Sequence, residues 1–315
     1  MRVVVAGGAG FLGSHLCERL VERGDEVLCL DDLSTGSTDN LARLVDRRGF
    51  SFARCDVSRA VPVEGPVDAV FHLASPASPP AYLSRPLETL AVGSEGTRLL
   101  LELAARTGAR FVLASTSEVY GDPDVHPQTE HYRGNVDPVG PRSVYDEAKR
   151  FAEARTMAAH RACGVDVGIV RIFNTYGPRL APGDGRVVSN FCVQALTGQP
   201  LTVYGDGSQT RSLCFVSDLV TGLVALGDAR GLTGPVNIGN PDERTVGELA
   251  RMVLELTGST SPIEHGPLPS HDPRRRCPDI TLASETLGWA PAVPLHQGLA
   301  QTLGWFRQRL GIAGG

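Results

Sequence analysis

A tyrosine and a lysine four residues apart, Tyr145 and Lys149, are the pair in this chain with the clearest chemical potential. In a helix, positions i and i+4 share a face, so the lysine would lie one turn above the tyrosine. An ammonium beside a phenol favours the phenolate and lowers a pKa that is ordinarily about 10. The pair therefore predicts a general base that takes an alcohol proton near neutral pH, which beside a nicotinamide ring means oxidation of a carbinol. The alternative is a surface tyrosine next to a solvated Lys-Arg pair.

A glycine-rich loop near the amino terminus separates a predicted strand from a predicted helix. The apolar run 3–6 predicts a strand buried on both faces, and residues 14–22 predict an amphipathic helix. The glycines read either as Gly8-x-Gly10-x-x-Gly13 or as Gly7-x-x-Gly10-x-x-Gly13. Glycines let the backbone turn tightly and approach a diphosphate, which binds the free N–H groups at the helix amino end. The loop therefore predicts dinucleotide binding, and the alternative is a plain turn with no ligand.

Two acidic residues follow the second predicted strand, residues 26–30. Asp31 stands about 20 residues after the glycines, where an acidic side chain accepts the adenosine ribose hydroxyls. Asp31 and Asp32 together would repel a 2′-phosphate. The sequence therefore predicts NAD, and not NADP, as the cofactor.

Composition narrows the class of protein. The 315 residues allow one large or two moderate domains with an ample core. A net charge of −5, with residues 274–276 as the one basic block, argues against nucleic acid as a partner. The seven cysteines contain no CxxC and the eight histidines show no metal-ligand spacing, which favours reduced thiols, a cytoplasmic protein and no metal. The sequence shows no signal peptide or apolar stretch of membrane length, so we expect no membrane partner.

The first half of the chain alternates between segments with the pattern of a strand and segments with the pattern of a helix. Residues 68–73, 109–115 and 166–171 predict strands, and residues 97–107 predict a helix. This alternation indicates βαβ units and an α/β fold with a doubly wound, Rossmann-like parallel sheet. Ligands bind at the carboxyl ends of strands in such sheets. The segments that follow strands are the glycine loop, Asp31, residues 75–80, Thr116-Ser117-Glu118 and Asn174. We therefore expect one shared active site.

After residue 171 the pattern changes to glycine- and proline-rich loops with short elements. We interpret residues 1–170 as an NAD-binding domain and residues 171–315 as a smaller carboxyl-terminal substrate-binding lobe. The boundary is soft, because residues 236–240 could form a strand that returns to the first domain.

These motifs resemble those of extended short-chain dehydrogenases that act on nucleotide sugars, and more narrowly those of the UDP-glucuronate decarboxylases. The resemblance runs from residue 1 to about residue 310. The strings that carry it are HLASPASPP (72–80), LASTSEVYGDP (113–123), RIFNTYGPR (171–179), DGRVVSNF (184–191), LTVYGDGSQTR (201–211) and the segment 272–279. Two departures are minor: Ala6 stands where many relatives have threonine, and Gly93 where many have asparagine.

The resemblance implies conversion of UDP-glucuronate to UDP-xylose and CO2 through a 4-keto intermediate, with tightly bound NAD that is recycled. Loss of CO2 leaves a carbanion at C5, and a ketone at C4 accepts its electron pair as an enolate. By resemblance, Tyr145 removes the 4-hydroxyl proton, and Lys149 lowers the tyrosine pKa and binds the nicotinamide ribose. Thr116 hydrogen-bonds the 4-oxygen.

Three further residues are expected at the C5 centre. Related 4,6-dehydratases carry an Asp-Glu pair after the threonine, so Ser117 speaks against dehydration here. Arg211 can grip the sugar carboxylate as a bidentate fork, and Glu118, or a water that it holds, would deliver or order the C5 proton. The alternative for Ser117 and Glu118 is ordinary capping at a strand end.

The remaining contacts are assigned by charge and resemblance. The expected NAD contacts are Gly7, Gly10, Phe11, Leu12, Gly13, Asp31, Asp32, Asp56, Val57, Leu73, Tyr145 and Lys149. The expected substrate contacts are Pro79, Tyr82, Asn174, Arg179, Asn190, Tyr204, Gln209, Arg211, Arg276 and Asp279. Arg179, Arg186 and Arg276 are candidates for the diphosphate, because arginine matches its oxygens in pairs. Arg276 would be paired with Asp279 for the uridine ribose, and any of these arginines could instead be a solvated surface charge.

Two other functions stay open at this point. A 4-epimerase of UDP-glucuronate would share the oxidation at C4 but would rotate the keto sugar and retain the carboxylate. A catalytically inactive NAD-binding scaffold would need none of the catalytic residues. The resemblance also implies a homodimer, since relatives pair through a four-helix bundle that includes the tyrosine helix.

Overall fold

The computed structural model describes residues 1–267 and 275–312. Asp272, at the start of the last matching string, and Arg274, in the basic block, lie outside the described residues. The strands are β1 (Arg2–Ala6), β2 (Glu26–Asp31), β3 (Phe50–Arg54), β4 (Ala69–His72), β5 (Arg110–Thr116), β6 (Val167–Ile172), β7 (Thr175–Tyr176), β8 (Leu201–Tyr204), β9 (Thr210–Ser212), β10 (Cys214–Phe215), β11 (Val236–Ile238), β12 (Glu243–Thr245) and β13 (Ile263–Gly266). The helices are α1 (Phe11–Glu22), α2 (Pro79–Ser84), α3 (Pro86–Ala91), α4 (Thr97–Thr107), α5 (Ser143–Cys163), α6 (Val187–Leu196), α7 (Val216–Asp228), α8 (Val246–Thr257), α9 (Thr281–Leu287) and α10 (Leu295–Arg309).

Seven parallel strands form the central sheet, in the order β11-β6-β5-β4-β1-β2-β3. The direction of winding reverses between β1 and β4, and such a switch point opens a crevice at the carboxyl ends of the strands. The predicted doubly wound parallel sheet is confirmed. β11 pairs with β6, so Val236–Ile238 belongs to the central sheet. The division of the chain at residue 170 stays a prediction.

The period-2 pattern of β1 explains why the sheet is covered on both faces. Val3 and Val5 point into one core, where they pack with Leu16 of α1. Val4 points into the other core together with Leu100 of α4. Successive strand residues face opposite sides, so a continuous apolar strand requires helices on both faces of the sheet.

Helix α5 is tied to the sheet by one carboxylate, that of Glu153. The Ser115 hydroxyl, at the end of β5, donates to this carboxylate at 2.6 Å. The Arg171 guanidinium, in β6, donates to both of its oxygens at 2.9 and 2.8 Å. These bonds fix the position of α5 relative to the carboxyl ends of two neighbouring strands.

The part of the chain beyond β6 adds three two-stranded sheets, β10-β7, β12-β9 and β13-β8. Helices α6, α8 and α10 pack on strands of these small sheets. Within the described ranges, no helix is both long enough and apolar enough to cross a bilayer.

Candidate active site

A cavity of about 1750 Å³ opens at the carboxyl ends of the central strands. This volume exceeds the roughly 300–1,000 Å³ of a pocket for one drug-sized ligand. The predicted residues that line it are Gly7, Gly10, Phe11, Leu12, Gly13, Asp31, Asp32, Asp56, Val57, Leu73, Pro79, Tyr82, Thr116, Ser117, Glu118, Tyr145, Lys149, Asn174, Arg179, Asn190, Tyr204, Gln209, Arg211 and Arg276. The structure thus brings residues from both halves of the chain to one cavity.

Asp279 is the predicted residue that does not line this cavity. Its carboxylate accepts a hydrogen bond from the Thr281 N–H at 2.9 Å, at the start of α9. Its own N–H donates to the Gln128 carbonyl at 2.9 Å. The expected pairing of Asp279 with Arg276 at a uridine ribose stays a prediction.

The glycine loop has the close contacts that a diphosphate-binding turn requires. Gly7 has φ +81°, and a Cβ there would lie 2.6 Å from the Ala74 nitrogen. A Cβ at Gly13 would overlap the Gly7 carbonyl oxygen, whereas one at Gly8 would meet the Cys29 sulfur at 2.5 Å. The first N–H groups of α1 have no acceptor within the helix, and this end of the helix lines the cavity. The loop therefore fits the diphosphate of a dinucleotide, and Gly7 and Gly13 are the glycines that permit the turn.

The acidic residues after the first strands also orient the backbone. The Asp31 carboxylate accepts the Ala9 N–H at 3.0 Å and the Leu33 N–H at 2.8 Å. Burial raises the pKa of Asp31, although these two hydrogen bonds act in the opposite direction. Asp32 is exposed and accepts the Ser34 N–H at 2.8 Å. Asp31 therefore braces the glycine loop, and its contact with a ribose stays a prediction.

Tyr145 and Lys149 lie on the same face of α5, as their spacing requires. The Tyr145 ring is buried and stacks on the Tyr82 ring, with centroids 5.1 Å apart and planes 7° apart. The Lys149 Nζ lies 5.9 Å from the Tyr145 ring centroid and donates to the Ala114 carbonyl at 2.8 Å. Both reactive groups are thereby held at the end of β5.

Electrostatics correct one expectation about this pair. Burial raises the pKa of Tyr145, whereas its hydrogen bond with Thr116 and the charge of Arg186 lower it. Burial also lowers the pKa of Lys149 to about 8. The expected lowering of the phenol pKa is therefore not met in the protein by itself, because burial outweighs the hydrogen bond with Thr116 and the charge of Arg186.

Lys149 is the only lysine in the chain, and the other 29 of its 30 Lys and Arg residues are arginine. An amine can have its pKa moved toward neutrality by burial, whereas a guanidinium stays charged. The single lysine therefore lies at a buried position, where its side-chain ammonium can lose a proton close to neutral pH.

Glu118 lies between two arginines at the edge of the cavity. Arg142 Nη2 donates to one carboxylate oxygen at 2.5 Å, and Arg276 Nη1 donates to the other. Burial by itself would raise the pKa of Glu118, but Arg276 and Arg142 together lower it to about 2. Glu118 is therefore an anion at neutral pH. Its oxygens accept from two guanidinium groups, and the expectation that Glu118, or a water that it holds, delivers or orders the C5 proton stays a prediction.

Arg142 was missed in the sequence, although it precedes Tyr145 by three residues and hence by about one helical turn. Arg276, a candidate for the diphosphate, lines the cavity and pairs with Glu118, and its contact with a diphosphate stays a prediction. Arg211 is in β9, and its Nη1 donates to the Thr210 carbonyl at 2.7 Å. Its role at the sugar carboxylate stays a prediction.

The other arginines mark different parts of the cavity. Arg179 pairs with Glu18 of α1 and so lies on the side of the glycine loop. Arg186 pairs with Asp184 at 2.5 Å and is close enough to Tyr145 to affect its pKa. Arg186 therefore lies near Tyr145, and its contact with a diphosphate stays a prediction.

The predicted substrate contacts in the lobe are partly engaged with the backbone. Asn190 Nδ2 donates to the Gly185 carbonyl at 3.1 Å, and Gln209 Nε2 donates to the Tyr204 carbonyl at 2.6 Å. The Tyr204 ring is 41% exposed, which leaves a face for a base to stack on. The Tyr82 hydroxyl is buried without a hydrogen-bond partner among the described residues, as expected of a group that awaits a ligand.

A cluster of possible metal ligands lies away from the cavity. The ligand atoms of His126, Glu243 and Cys277 lie within 4.8 Å of one another. The His126 ring pairs with the Glu243 carboxylate at 3.0 Å, and this contact joins two distant segments of the chain.

Comparison with known proteins places this site in a family. Residues 3–239 match the model of the NAD dependent epimerase/dehydratase family. The chain belongs to that family. NAD is thus the cofactor, in agreement with the glycine loop and the acidic residues after β2.

Two curated relatives of this epimerase/dehydratase family member are similar over nearly the full chain. It is 53% identical over 310 residues to UDP-glucuronic acid decarboxylase 4 of Arabidopsis thaliana, which covers 98% of this chain and 69% of that protein. It is 50% identical over 309 residues to UDP-glucuronic acid decarboxylase 1 of Xenopus tropicalis, with 98% and 73% covered. Among solved structures, UDP-glucuronic acid 4-epimerase of Bacillus cereus, in complex with UDP-glucuronic acid and NAD, superposes with a TM-score of 0.87 at 27% identity, with 98% and 100% covered. The predicted family resemblance is confirmed.

Proposed function

We propose that this protein decarboxylates UDP-glucuronate to UDP-xylose and CO2 through a 4-keto intermediate, with tightly bound and recycled NAD. Identity of 50–53% to UDP-glucuronic acid decarboxylases over nearly the whole chain carries the proposal. The site adds a chemical reason. Ser117 follows Thr116 in place of a second acid, and the neighbouring Glu118 is held as an anion, so the chain lacks an acid there for expelling water.

Proton transfer at the sugar 4-hydroxyl is the task of Tyr145. NAD, when bound, supplies the acceptor for the C4 hydride and returns the same hydride, so that it is recycled. Thr116 and Arg186 favour the phenolate of Tyr145 against the effect of burial. Lys149, whose pKa is about 8, is mostly cationic at pH 7 and stands beside the tyrosine ring. These residues take the hydroxyl proton and later give it back to the same oxygen.

Arg142, Arg276 and Glu118 form a binding site of small net positive charge for the sugar carboxylate. Arg142 and Arg276 carry two positive charges, and Glu118 neutralises one of them. A net charge of +1 can orient a carboxylate without stabilising it so strongly that loss of CO2 is prevented. Arg211 from β9 lines the same cavity and stays our candidate for the direct fork to this carboxylate.

The 4-epimerase alternative would use the same oxidation at C4. The Bacillus cereus UDP-glucuronic acid 4-epimerase has the same fold but is only 27% identical, about half the identity to the decarboxylases. The inactive-scaffold alternative is disfavoured because Tyr145, Lys149 and Thr116 are intact and lie together at one cavity.

Purified protein mixed with UDP-glucuronate, with and without added NAD+, tests the proposal by proton NMR. UDP-xylose and CO2 support it, and turnover without added NAD+ supports a retained cofactor. UDP-galacturonate without CO2 would replace the proposal with the epimerase. The Tyr145→Phe variant is the matched control, because it keeps the ring stacked on Tyr82 and removes only the hydroxyl.

We also propose that the protein forms a homodimer and is located in the cytoplasm. Helix α3 packs on α5, and Leu87 of α3 and Phe151 of α5 are 75% and 47% exposed. These side chains suit a four-helix bundle formed with a second copy. All seven cysteines are free, as expected in a reducing compartment. Light scattering on the protein and on Leu87→Glu tests the dimer, which the charge should dissociate.

A further inference from the structure

The proposed reaction requires a source of protons that the tyrosine cannot supply. A carboxylate leaves as neutral CO2 and C5 gains a hydrogen, so each turnover takes up one proton from solvent. The proton that Tyr145 removes from the 4-oxygen returns to that oxygen and does not contribute. Glu118 is an ion-paired anion and holds no proton to give. A separate group must therefore load a proton from water and pass it to C5, and this inference rests on the proposed function.

A second, smaller cavity lies directly behind the reaction centre. Its volume is about 290 Å³, enough for several water molecules. Glu118 and Arg142 line both cavities, so this ion pair is the wall between them. Asp122 and Asp137, which are exposed, also line the small cavity and bring it to the protein surface. Water thus has a route from solvent to the back of Glu118.

A buried carboxyl group lines this route. Asp146 follows Tyr145 in α5, is 6% exposed, and borders the small cavity. Its Oδ1 is buried without a hydrogen-bond partner among the described residues. A buried carboxyl oxygen without a partner is costly as an anion, so the group favours its protonated form.

Burial and the charges around Asp146 together also favour its protonated form. Burial raises its pKa to about 7, and the Glu118 carboxylate contributes to the increase. Arg142 and Arg276 act in the opposite direction, and Glu147 adds to the increase. The carboxylates of Asp122 and Asp137 at the mouth of the small cavity are the other titratable groups that face this space. Asp146 can therefore gain and lose a proton at neutral pH, which Glu118 cannot.

We propose that the small cavity is the proton inlet of the reaction and that Asp146 holds the proton that C5 receives. After CO2 has left, the enolate electron pair forms the C5–H bond, and the O–H bond of the Asp146 carboxylic acid breaks. The proton crosses through water along the Glu118 carboxylate. Asp146 is then reprotonated from solvent through the small cavity, so charge and atoms balance over one turnover.

The test is a single turnover of the holoenzyme with carboxyl-labelled UDP-glucuronate, in Asp146→Asn and in Glu147→Gln. Glu147 is the matched control, since it is next to Asp146 in α5 but is half-exposed and pairs with Arg150. Two signals are followed, release of labelled CO2 and the absorbance at 340 nm of the reduced cofactor. In Asp146→Asn we expect CO2 release within about 3-fold of wild type, but decay of the 340 nm signal slowed at least about 30-fold. Glu147→Gln removes only the smallest contribution to the Asp146 pKa and should change either rate by less than about 3-fold.

The outcomes separate this inference from the proposed function. If wild type releases no CO2, the proposed function fails and the inference fails with it. If wild type releases CO2, two results for Asp146→Asn would overturn the inference alone. One is that CO2 release and the 340 nm decay are slowed equally, and the other is that neither is slowed. The wild type provides a second test that needs no variant: its 340 nm decay should slow as the pH rises above about 7. A decay rate independent of pH between 6 and 9 would also overturn the inference.

Discussion

Glu118→Gln should destabilise the protein strongly and in a pH-dependent way. The amide keeps the size of the side chain but removes the negative charge between Arg142 and Arg276. Breaking a buried ion pair by removing one partner costs about 3–5 kcal/mol, because the remaining charge is left uncompensated. Lowering the Glu118 pKa from 4.5 to about 2 corresponds to about 3 kcal/mol by itself. Both arguments predict a loss of about 3 kcal/mol in the free energy of unfolding.

The pH dependence follows from the sign of that shift. The pKa of Glu118 is lower in the folded protein than in the unfolded chain, so its stabilisation is complete above pH about 4.5. It is lost as the pH falls from about 4.5 toward 2. The difference between wild type and Glu118→Gln should therefore be constant at pH 5–6 and decrease below that range. Because the Glu118 charge also raises the pKa of Asp146, both proteins are compared in an Asp146→Asn background, which removes this second titration.

Urea unfolding followed by tryptophan fluorescence measures this difference, at one protein concentration and without added NAD, because ligand binding and assembly would shift the apparent stability. Glu147→Gln is the control, since its partly exposed pair with Arg150 should contribute less than about 1 kcal/mol. A loss below about 1 kcal/mol at pH 5.5, or a difference that persists unchanged to pH 3, would refute the assignment of an ionised Glu118 between two arginines.

Three further predictions concern the pair of reactive groups and the binding residues. The side-chain ammonium of Lys149, the single lysine, gives one resonance in ¹⁵N-lysine NMR, and its titration should show a pKa of about 8; a value above 10 would contradict the role of burial. Gly7→Ala should lower NAD retention, measured by fluorescence, at least about 10-fold, because its Cβ would lie 2.6 Å from a backbone nitrogen. Gly24→Ala is the control and should leave retention unchanged. Gly24 also has a positive φ, but a Cβ there would have nothing within 4 Å. Tyr82→Phe should raise KM about 10-fold for UDP-glucuronate with little change in melting temperature, because the hydroxyl has no described protein partner; an unchanged KM would remove Tyr82 from the sugar pocket.

Features that depend on residues close together along the chain could be predicted from the sequence. The positions of several strands along the chain, the glycine turn and the shared face of Tyr145 and Lys149 follow from patterns that involve only a few residues. β11 was predicted only as a possibility, because three residues carry little pattern. Its place in the sheet depends on pairing with β6, more than 60 residues earlier.

The environment of Glu118 was not predictable in the same way. Arg142 and Arg276 are 24 and 158 residues away along the chain, and only the folded chain brings both to one carboxylate. The expectations for Arg276 at a diphosphate and for Glu118 at the C5 proton depended on residue type and on resemblance, and neither shows which side chains pair with each other. The ion pairs show that the same residue types can instead satisfy one another.

The sequence by itself determined the parallel sheet, the NAD-binding turn, the reactive tyrosine and the family. These features are local, or they are recorded in long strings of matching residues. The tertiary structure decided the protonation states, because burial and distant charges set each pKa and neither can be read from spacing. It raised the pKa of Tyr145 where its neighbour Lys149 predicted a decrease, and it gave Asp146, an unremarked residue of the sequence, an unpartnered buried carboxyl oxygen beside the reaction centre.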